Sequence, residues 1–315
     1  MLDDSFDLAD RSCGPRKQFF NNGGPYLKPF TTLITLIADS GATKTDWRLV
    51  SADGQSRSLP TDGISPYYQS TEQITDTLRA QLLPQLDDVV VNRIYFYGTG
   101  CISPAVNQRV ADALRAALPA LNTVDVNSDM LGAARGASGH EPGIVCILGT
   151  GSNACCYDGQ DITHGIQSLG FWLGDEGSGG YLGKTLVREV FQEQLPAELR
   201  DAFQARYALD RATLLENAYR KPYPNRYFAG FTPFLSENIA HPHIVGLVTD
   251  AFRLFLTTYV RRFPEADQWP VHFVGSIAHY FAGPLQEAVG QTGLTMGRIL
   301  KAPAERLVEY HQKAV

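Results

Sequence analysis

Two short turns that combine glycines with hydroxyl side chains are the residues of this sequence best suited to chemistry. They are residues 39–45 (Asp-Ser-Gly-Ala-Thr-Lys-Thr) and 148–153 (Leu-Gly-Thr-Gly-Ser-Asn), and each follows a short apolar segment. Glycines let a backbone approach a phosphate, and N–H and hydroxyl groups can then donate to its oxygens. Each turn is followed by a second strand-like segment and then by an Asp-Gly pair, which begins at Asp53 in the first case and at Asp158 in the second. This order predicts a β-hairpin at each turn. Two facing hairpins could grip a polyphosphate, which indicates an ATP-using enzyme rather than a dinucleotide-binding sheet.

Length, charge and cysteine usage narrow the class of protein. At 315 residues the chain exceeds the usual size of one hydrophobic core, which favours two domains. The 27 Lys and Arg against 33 Asp and Glu form no basic run, so we expect a small-molecule partner and neither nucleic acid nor a membrane. The longest apolar run, 33–38, is too short to span a bilayer. Five cysteines, two of them adjacent, fit reduced cytoplasmic thiols, and no Cys/His spacing typical of a zinc site occurs.

The order of elements predicts a duplicated α/β architecture. Residues 1–30 mix charges, breakers and isolated aromatics without a period, and we expect a flexible N-terminal extension there. From residue 33 onward, apolar periodicity and turn signals predict the order βββαβαβα, followed by its repeat. Predicted strands lie at 33–39, 45–50, 55–60, 92–97, 123–126, 144–148, 154–157, 162–166 and, as the last one, 271–274. Predicted helices lie at 71–83, from 103, from the glycine-rich 169–180 segment through 194, across most of 196–263, through 289, and at 303–311.

Five motifs in order carry a resemblance to a known family. They are residues 39–45, 127–129, 148–153, 173–178 and 273–276. With these motifs, residues 33–315 resemble the N-acetylglucosamine kinase branch of the actin/hexokinase/Hsp70-type ATPases. That branch also contains the ATPase activators of benzoyl-CoA reductase and 2-hydroxyacyl-CoA dehydratase. The resemblance implies two duplicated ribonuclease H-like domains with an ATP cleft between them. We expect an N-terminal ATPase domain at 31–130, joined by the helix at 303–315, and a C-terminal one at 131–302 with a helical insertion at about 196–263.

Phosphoryl transfer from ATP requires a phosphate clamp, a divalent cation and a group that orients the acceptor hydroxyl. Asp39 ends an apolar segment and faces a glycine turn, so it is placed to hold Mg²⁺ through water, although a turn-capping Asp is the alternative. The two turns would donate to phosphates, and the Gly-Ser pair at 275–276 could cover the adenosine or a phosphate. The predicted ATP contacts are Gly41, Thr43, Lys44, Thr45, Thr150, Gly151, Ser152, Gly275 and Ser276.

The acceptor side of the predicted site is rich in polar residues. Asp129 lies at a strand-to-helix corner, where an N-cap is the alternative to catalysis. The resemblance implies that Asp129 is the general base. Carboxylates accept paired hydrogen bonds from neighbouring sugar hydroxyls, which is the role expected of Asp175 and Glu176. The predicted substrate contacts are Ser65, Thr99, Gly100, Asp129, Asn153, Asp175 and Glu176.

The sugar and the function class stay open at this point. Ser65 stands where the family commonly has Asn, so N-acetylglucosamine, glucosamine, N-acetylmannosamine or N-acetylmuramic acid could be the acceptor. The first function is an ATP-dependent amino-sugar kinase, expected to form a homodimer and to close over its ligands. The second is an ATPase that drives electrons through a shared iron–sulfur cluster, which Cys155-Cys156 disfavours because alternate side chains leave opposite faces of a strand. The third is a nucleotide-sensing regulator, against which Asp39, Asp129 and Asp175 argue. Four histidines are interpreted as surface or packing residues, namely His164, His241, His243 and His279.

Overall fold

The computed structural model describes residues 33–41 and 43–313, so the predicted extension at 1–30 lies outside the described residues. The first half contains β1 (Thr35–Ser40), β2 (Lys44–Val50), β3 (Ser56–Asp62), α1 (Thr71–Thr77), β4 (Arg93–Gly98), α2 (Pro104–Ala117), β5 (Thr123–Ser128) and α3 (Asp129–Ser138). The second half begins with β6 (Gly143–Leu148), β7 (Ser152–Tyr157), β8 (Ile162–Gly165), α4 (Gly170–Leu173) and α5 (Gly179–Phe191). It continues with α6 (Ala197–Tyr207), α7 (Arg211–Tyr219), α8 (Pro224–Ala229), α9 (Thr232–Glu237) and α10 (Pro242–Thr258). It ends with β9 (Val271–Val274), α11 (Ser276–Tyr280), α12 (Ala282–Gln291), β10 (Met296–Leu300) and α13 (Ala304–Lys313).

The two halves share one sheet topology. The first five-stranded sheet has the order β3-β2-β1-β4-β5, and the second has the matching order β8-β7-β6-β9-β10. In each sheet the first three strands form antiparallel hairpins, while the fourth and fifth add in parallel. The predicted βββαβαβα fold class is therefore confirmed. Because parallel strands end at the same edge, the loops after β1, β4 and β5 meet at one side of the first sheet.

Local sequence signals account for most element boundaries. Ser70 and Gln73 form a capping box at the start of α1, and Ser103 followed by a proline caps α2. Beyond α1 the predicted helix continues as a wider π-helical segment, Leu78–Leu82. The predicted helix through 194 ends earlier, at Phe191, and the predicted helical insertion consists of α6 to α10.

The prediction that 271–274 is the last strand was wrong. β10 (Met296–Leu300) pairs in parallel with β9 and completes the second sheet. Gly297 and the exposed Arg298 interrupt its apolar pattern, and the pairing shifts register between Met296 and Ile299. An edge strand that is only partly buried gives a weak period-two signal.

The helices that close each half join the two sheets. α3 packs against strands of both sheets, and α13 packs on α3 and on β1 and β2 of the first sheet. A hydrophobic cluster follows this path and includes Ile37, Tyr97, Val145, Leu307 and Val308. The two halves therefore share one core region in addition to their own cores. The domain boundaries at 130 and 302 stay a prediction.

Candidate active site

A cleft of about 600 Å³ lies where the two halves meet. Its walls come from the loop after β4, the start of α2, the junction of β5 and α3, and strands β7 and β8. Residues that line it include Asn107, Asn127, Asp129, Asn153 and Asp161. The structure thus brings Asp129 and Asn153, predicted from separate motifs, into one cavity.

Asp129 occupies the first turn of α3 and lines the cleft. The N-cap of α3 is Ser128, whose hydroxyl accepts from Leu131 N–H at 3.2 Å, so Asp129 is not the capping residue. Met130 N–H donates to Asp129 Oδ1 at 2.8 Å, and the Thr99 hydroxyl also hydrogen-bonds the carboxylate. Burial raises the pKa of Asp129 above its ordinary value, while these hydrogen bonds act in the opposite direction. The carboxylate is held by donors and lines the cleft, as a general base requires.

Asp39 is the second carboxylate of the site. Burial is the first cause that raises its pKa to about 7, the charges of Asp129 and Asp46 add to it, and Lys44 opposes it. No donor contacts the Asp39 carboxylate within residues 33–41 and 43–313. A desolvated carboxylate that feels a second carboxylate and lacks a donor is a favourable ligand for a hard divalent cation.

Buried hydroxyl groups on the interior side of the β1–β2 turn stabilise it. Gly41 N–H donates to the Lys44 carbonyl at 3.0 Å. Ser40 Oγ lies 2.7 Å from Thr45 Oγ1, which in turn donates to the Asp62 carbonyl at 3.2 Å. Thr45 is 1% exposed, so its hydroxyl stabilises the turn from the protein interior. Thr43 and Lys44 are exposed to solvent on the same turn.

The β6–β7 turn is anchored to the start of α5. Gly179 and Gly180 donate their N–H groups to the carbonyls of Gly149 and Thr150 at 2.8 and 3.0 Å. The amides of Thr150 and Gly151 donate no hydrogen bond to any described residue, and the buried Ser152 hydroxyl likewise has no partner there. A rigid turn with unused donors is suited to bind phosphate oxygens.

Asp175 and Glu176 lie behind this turn and do not line the cleft. Asp175 has φ +60° and accepts from Ser152 N–H at 3.2 Å and from the Ser168 hydroxyl at 3.4 Å. Glu176 accepts from the Tyr259 hydroxyl at 2.6 Å. In this arrangement the Asp175 carboxylate positions the second turn, and its direct contact with a sugar stays a prediction.

The remaining predicted residues lie on loops beside the two turns. Gly275 has φ +128°, and a Cβ there would come within 2.2 Å of the Leu148 carbonyl oxygen, so only glycine fits against the second turn. Ser276 follows it on the surface. Thr99 N–H donates to the Ser40 carbonyl at 2.9 Å, and Gly100, with φ +83°, packs under the Tyr67 ring. Ser65 is 5% exposed and its N–H donates to Gln69 Oε1 at 2.8 Å.

Two cleft residues with unused polar atoms were not singled out from the sequence. Asn107 Nδ2 donates to the Val126 carbonyl at 2.9 Å, which leaves its buried Oδ1 without a partner. The buried Nδ2 of Asn127 also has no partner among the described residues. Asn127 belongs to the 127–129 motif that flagged Asp129, whereas Asn107 lies inside α2 without a local signal. An unused acceptor and an unused donor in one cavity suit a polyhydroxylated ligand.

Comparison with known proteins places the chain in a family. No family model and no curated protein matches it. A solved structure of a candidate N-acetylglucosamine kinase from Porphyromonas gingivalis is 41% identical, with a TM-score of 0.85 over 89% of this chain and 99% of that one. A second candidate N-acetylglucosamine kinase, from Chromobacterium violaceum, is 19% identical, with a TM-score of 0.69 over 89% of this chain and 99% of that one. A glucokinase from Streptomyces griseus in complex with glucose and AMPPNP is 16% identical, with a TM-score of 0.55 over 89% of this chain and 98% of that one. The Chromobacterium and Streptomyces structures support the fold alone, because their sequence identities are low. The chain therefore belongs to the N-acetylglucosamine kinase-like family of ATP-dependent sugar kinases.

Proposed function

We propose that this protein transfers the γ-phosphoryl group of ATP to a hydroxyl of an amino sugar, with N-acetylglucosamine as the first candidate. The observation that supports the proposal is the position of Asp129, an oriented and half-buried carboxylate in a cleft that also contains Asn153, Asn107 and Asn127. The 41% identity to a candidate N-acetylglucosamine kinase supports the choice of sugar. We further propose that the enzyme acts in the cytoplasm as a homodimer.

In the proposed mechanism, Asp129 accepts the proton of the sugar hydroxyl as the hydroxyl oxygen attacks the γ-phosphorus. The new bond joins the sugar oxygen to phosphorus, the bond from phosphorus to the β,γ-bridging oxygen breaks, and ADP leaves with that oxygen. Thr99 orients Asp129 through its hydroxyl. Positioning and charge stabilisation supply most of the rate enhancement in such a reaction.

The nucleotide would lie between the two turns. Thr43 and Lys44 on the first turn, and the free amides of Thr150 and Gly151 on the second, would donate to the β- and γ-phosphates. Asp39 would hold Mg²⁺, which neutralises phosphate charge when bound. Gly41, Thr45 and Ser152 support the turns, and Gly275 and Ser276 flank the second one.

The two other function classes receive less support. An iron–sulfur activator needs cysteines at a subunit surface, but the four cysteines among the described residues, Cys101, Cys146, Cys155 and Cys156, are all buried. A nucleotide-sensing regulator would not need an oriented carboxylate beside unused cleft polar groups. Each class predicts a different biochemical result.

A coupled ADP-release assay over hexoses and N-acetylhexosamines, with and without Mg²⁺, tests the proposal. We expect Mg²⁺-dependent ADP release that one N-acetylhexosamine stimulates, with a phosphorylated sugar as product. Equal ADP release with every sugar and with none, together with iron and sulfide in the purified protein, would favour the activator. Nucleotide binding without turnover on any sugar would favour the regulator.

A further inference from the structure

Three side chains that could hold a metal ion converge away from the proposed phosphoryl-transfer residues. Cys156 lies on β7, His164 on β8, and Glu265 in the segment between α10 and β9. Their Sγ, Nε2 and carboxylate oxygen all lie within 4.8 Å of one another. Glu265 Oε2 is 3.2 Å from Cys156 Sγ and 3.1 Å from His164 Nε2.

The surroundings of His164 orient its ring as they would for a ligand. His164 Nδ1 lies 3.1 Å from the Thr163 hydroxyl, which itself lies within donating distance, 3.4 Å, of the Cys156 carbonyl. Because that hydroxyl donates to the carbonyl, it can accept the N–H of Nδ1, which leaves the lone pair of Nε2 facing Glu265. The ring edge of Phe263, with centroids 5.4 Å apart, fixes the imidazole further.

The environment of His164 Nε2 is dominated by the Glu265 carboxylate. This nitrogen is buried and makes no hydrogen bond with any described residue, although Glu265 Oε2 lies 3.1 Å away. In the tautomer that the Thr163 hydroxyl favours, the Nε2 lone pair faces this carboxylate oxygen, and a cation between the two atoms would be attracted to both.

We propose that Cys156, His164 and Glu265 form a binding site for a thiophilic divalent cation, Zn²⁺ in the first instance. Sulfur, imidazole and carboxylate together are ligands that zinc accepts in a tetrahedral site. Tetrahedral bond lengths place such donor atoms about 3.3–3.5 Å apart, close to the two separations from Glu265, while the sulfur and the imidazole nitrogen lie within 4.8 Å of each other. The His164 side chain is 39% exposed, so the site lies close to solvent, from which the ion and a water as fourth ligand would come.

The charges of the site balance when the ion binds. Zinc binds the thiolate form of cysteine, so binding releases the thiol proton to solvent, and thiolate and carboxylate together then cancel the two positive charges of the ion.

Such an ion would tie an edge strand to the rest of the second half. β8 pairs with β7 over a short, irregular register that shifts between Cys156 and Tyr157. Ile162, the first residue of β8, lines the cleft. The site would therefore stabilise a strand that borders the proposed substrate cavity, without taking part in phosphoryl transfer.

Cobalt titration of chelator-treated full-length protein tests the proposal. We expect one equivalent of Co²⁺ to produce a near-ultraviolet thiolate-to-cobalt band, which Zn²⁺ displaces. Cys156→Ser should lose the band, whereas the matched control Cys155→Ser should keep it because its side chain lies on the other face of β7. Thr163→Val, which removes the group that orients His164, should weaken binding by about 10–100-fold.

Thermal unfolding provides a second measurement in case Cys156→Ser folds poorly. Zn²⁺ should raise the Tm of the wild type and fail to raise that of Glu265→Gln. Absence of a thiolate band in the wild type, or an equal band in Cys156→Ser, would overturn the site and leave His164 and Glu265 as an ion pair. A Tm increase of the same size in Glu265→Gln would also contradict it.

Discussion

At the scale of single residues, the site depends on two carboxylates that serve different purposes. Asp129 is fixed by donors from Met130 and Thr99, whereas Asp39 has no donor among the described residues. A hydrogen-bonded carboxylate keeps one orientation, as proton transfer requires, and a carboxylate without donors keeps its lone pairs for a cation. The difference in hydrogen bonding thus separates the proposed roles of base and metal ligand.

Replacement of Asp129 tests the role of base. Asp129→Asn should retain the fold and nucleotide binding but lower kcat by roughly 10²–10⁴-fold, because the amide cannot accept the hydroxyl proton. Steady-state kinetics with a fluorescent nucleotide titration would measure both. Asp161→Asn, which changes another acid of the same cleft, is the control and should leave kcat within a few fold. Near-normal turnover in folded Asp129→Asn would rule out the assignment.

The position of Asp175 permits a distinction between two roles. If its carboxylate positions the second turn through Ser152 N–H, Asp175→Ala should raise the KM for ATP more than the KM for the sugar. If Asp175 contacts the sugar directly, the order of the two effects should be reversed. Initial-rate kinetics with each substrate varied in turn would decide between them.

At the scale of elements, the contact between α5 and α8 is set by one glycine. A Cβ at Gly183 would lie 1.8 Å from the Phe228 carbonyl oxygen, so an alanine must push the helices apart. Gly183→Ala should therefore lower the free energy of unfolding by about 1–3 kcal/mol. Gly246→Ala is the matched control: it is also helical, has open space around it, and should stabilise by about 0.5–1 kcal/mol. Urea unfolding that ranks the two variants in the opposite order would contradict this account.

The docking of α13 on the first sheet should be sensitive to acid. His311 stacks on Tyr95 with ring centroids 3.6 Å apart, and its Nε2 lies 2.8 Å from the Tyr97 hydroxyl. Burial, followed by the nearby positive charge of Arg135, lowers the pKa of His311 from 6.5 to about 3. Between these pH values the unfolded chain binds a proton that the folded chain does not, so stability is lost as pH falls from about 6.5 toward 3.

His311→Gln should reduce the slope of the free energy of unfolding against pH, in the acid range, by up to about 1.4 kcal/mol per pH unit. Glutamine can still hydrogen-bond Tyr97, but it does not titrate. Urea unfolding from pH 8 to pH 4 measures the slope. His272, whose pKa burial lowers to about 4, should maintain part of the acid sensitivity in the variant. The exposed His279 provides the control, because His279→Gln should leave the slope unchanged. An unaltered slope in His311→Gln would show that α13 docking does not drive acid unfolding.

The elements and residues that the sequence predicted share a physical property. β1, β6 and β9 are short apolar runs that end at glycine or hydroxyl turns; Asp39 follows the apolar residues 36–38 of β1, and Asp129 directly follows β5. Their position is encoded locally. The sequence did not predict β10, because Gly297 and Arg298 interrupt the apolar pattern of an edge strand that is only partly buried.

Long-range contacts explain what sequence patterns could not reveal. Asn107 reaches the cleft through the packing of α2 on β5, and Glu265 meets Cys156 across the second half of the molecule. The residues of each contact are far apart in the sequence, so no local motif could predict either contact. The interpretation of His164 as a surface or packing residue missed its Cys156 and Glu265 neighbours for the same reason.

At the scale of the whole molecule, the cleft should narrow when both substrates bind, because the two turns belong to different halves and must converge to exclude water. Tyr68 of the first half already meets Tyr223 of the helical insertion edge-on, with ring centroids 5.6 Å apart. We expect a smaller radius of gyration in X-ray scattering, and slower amide exchange at 173–180, when sugar and an ATP analogue are present together. Asp129→Asn should close in the same way, since closure needs binding and not chemistry. An unchanged envelope with unchanged exchange would exclude closure as the working motion.

The return of α13 to the first sheet also determines the order in which a ribosome can complete this protein. Leu307 and Val308 share a hydrophobic cluster with Ile37 and Val50, yet they are translated on the order of tens of seconds after them. Until then, β1 and β2 leave the exit tunnel with an apolar face that nothing later in the first half covers completely. We therefore expect this face to stay exposed on the nascent first half, since the core region that the two halves share can form only when both ends of the fold have been translated.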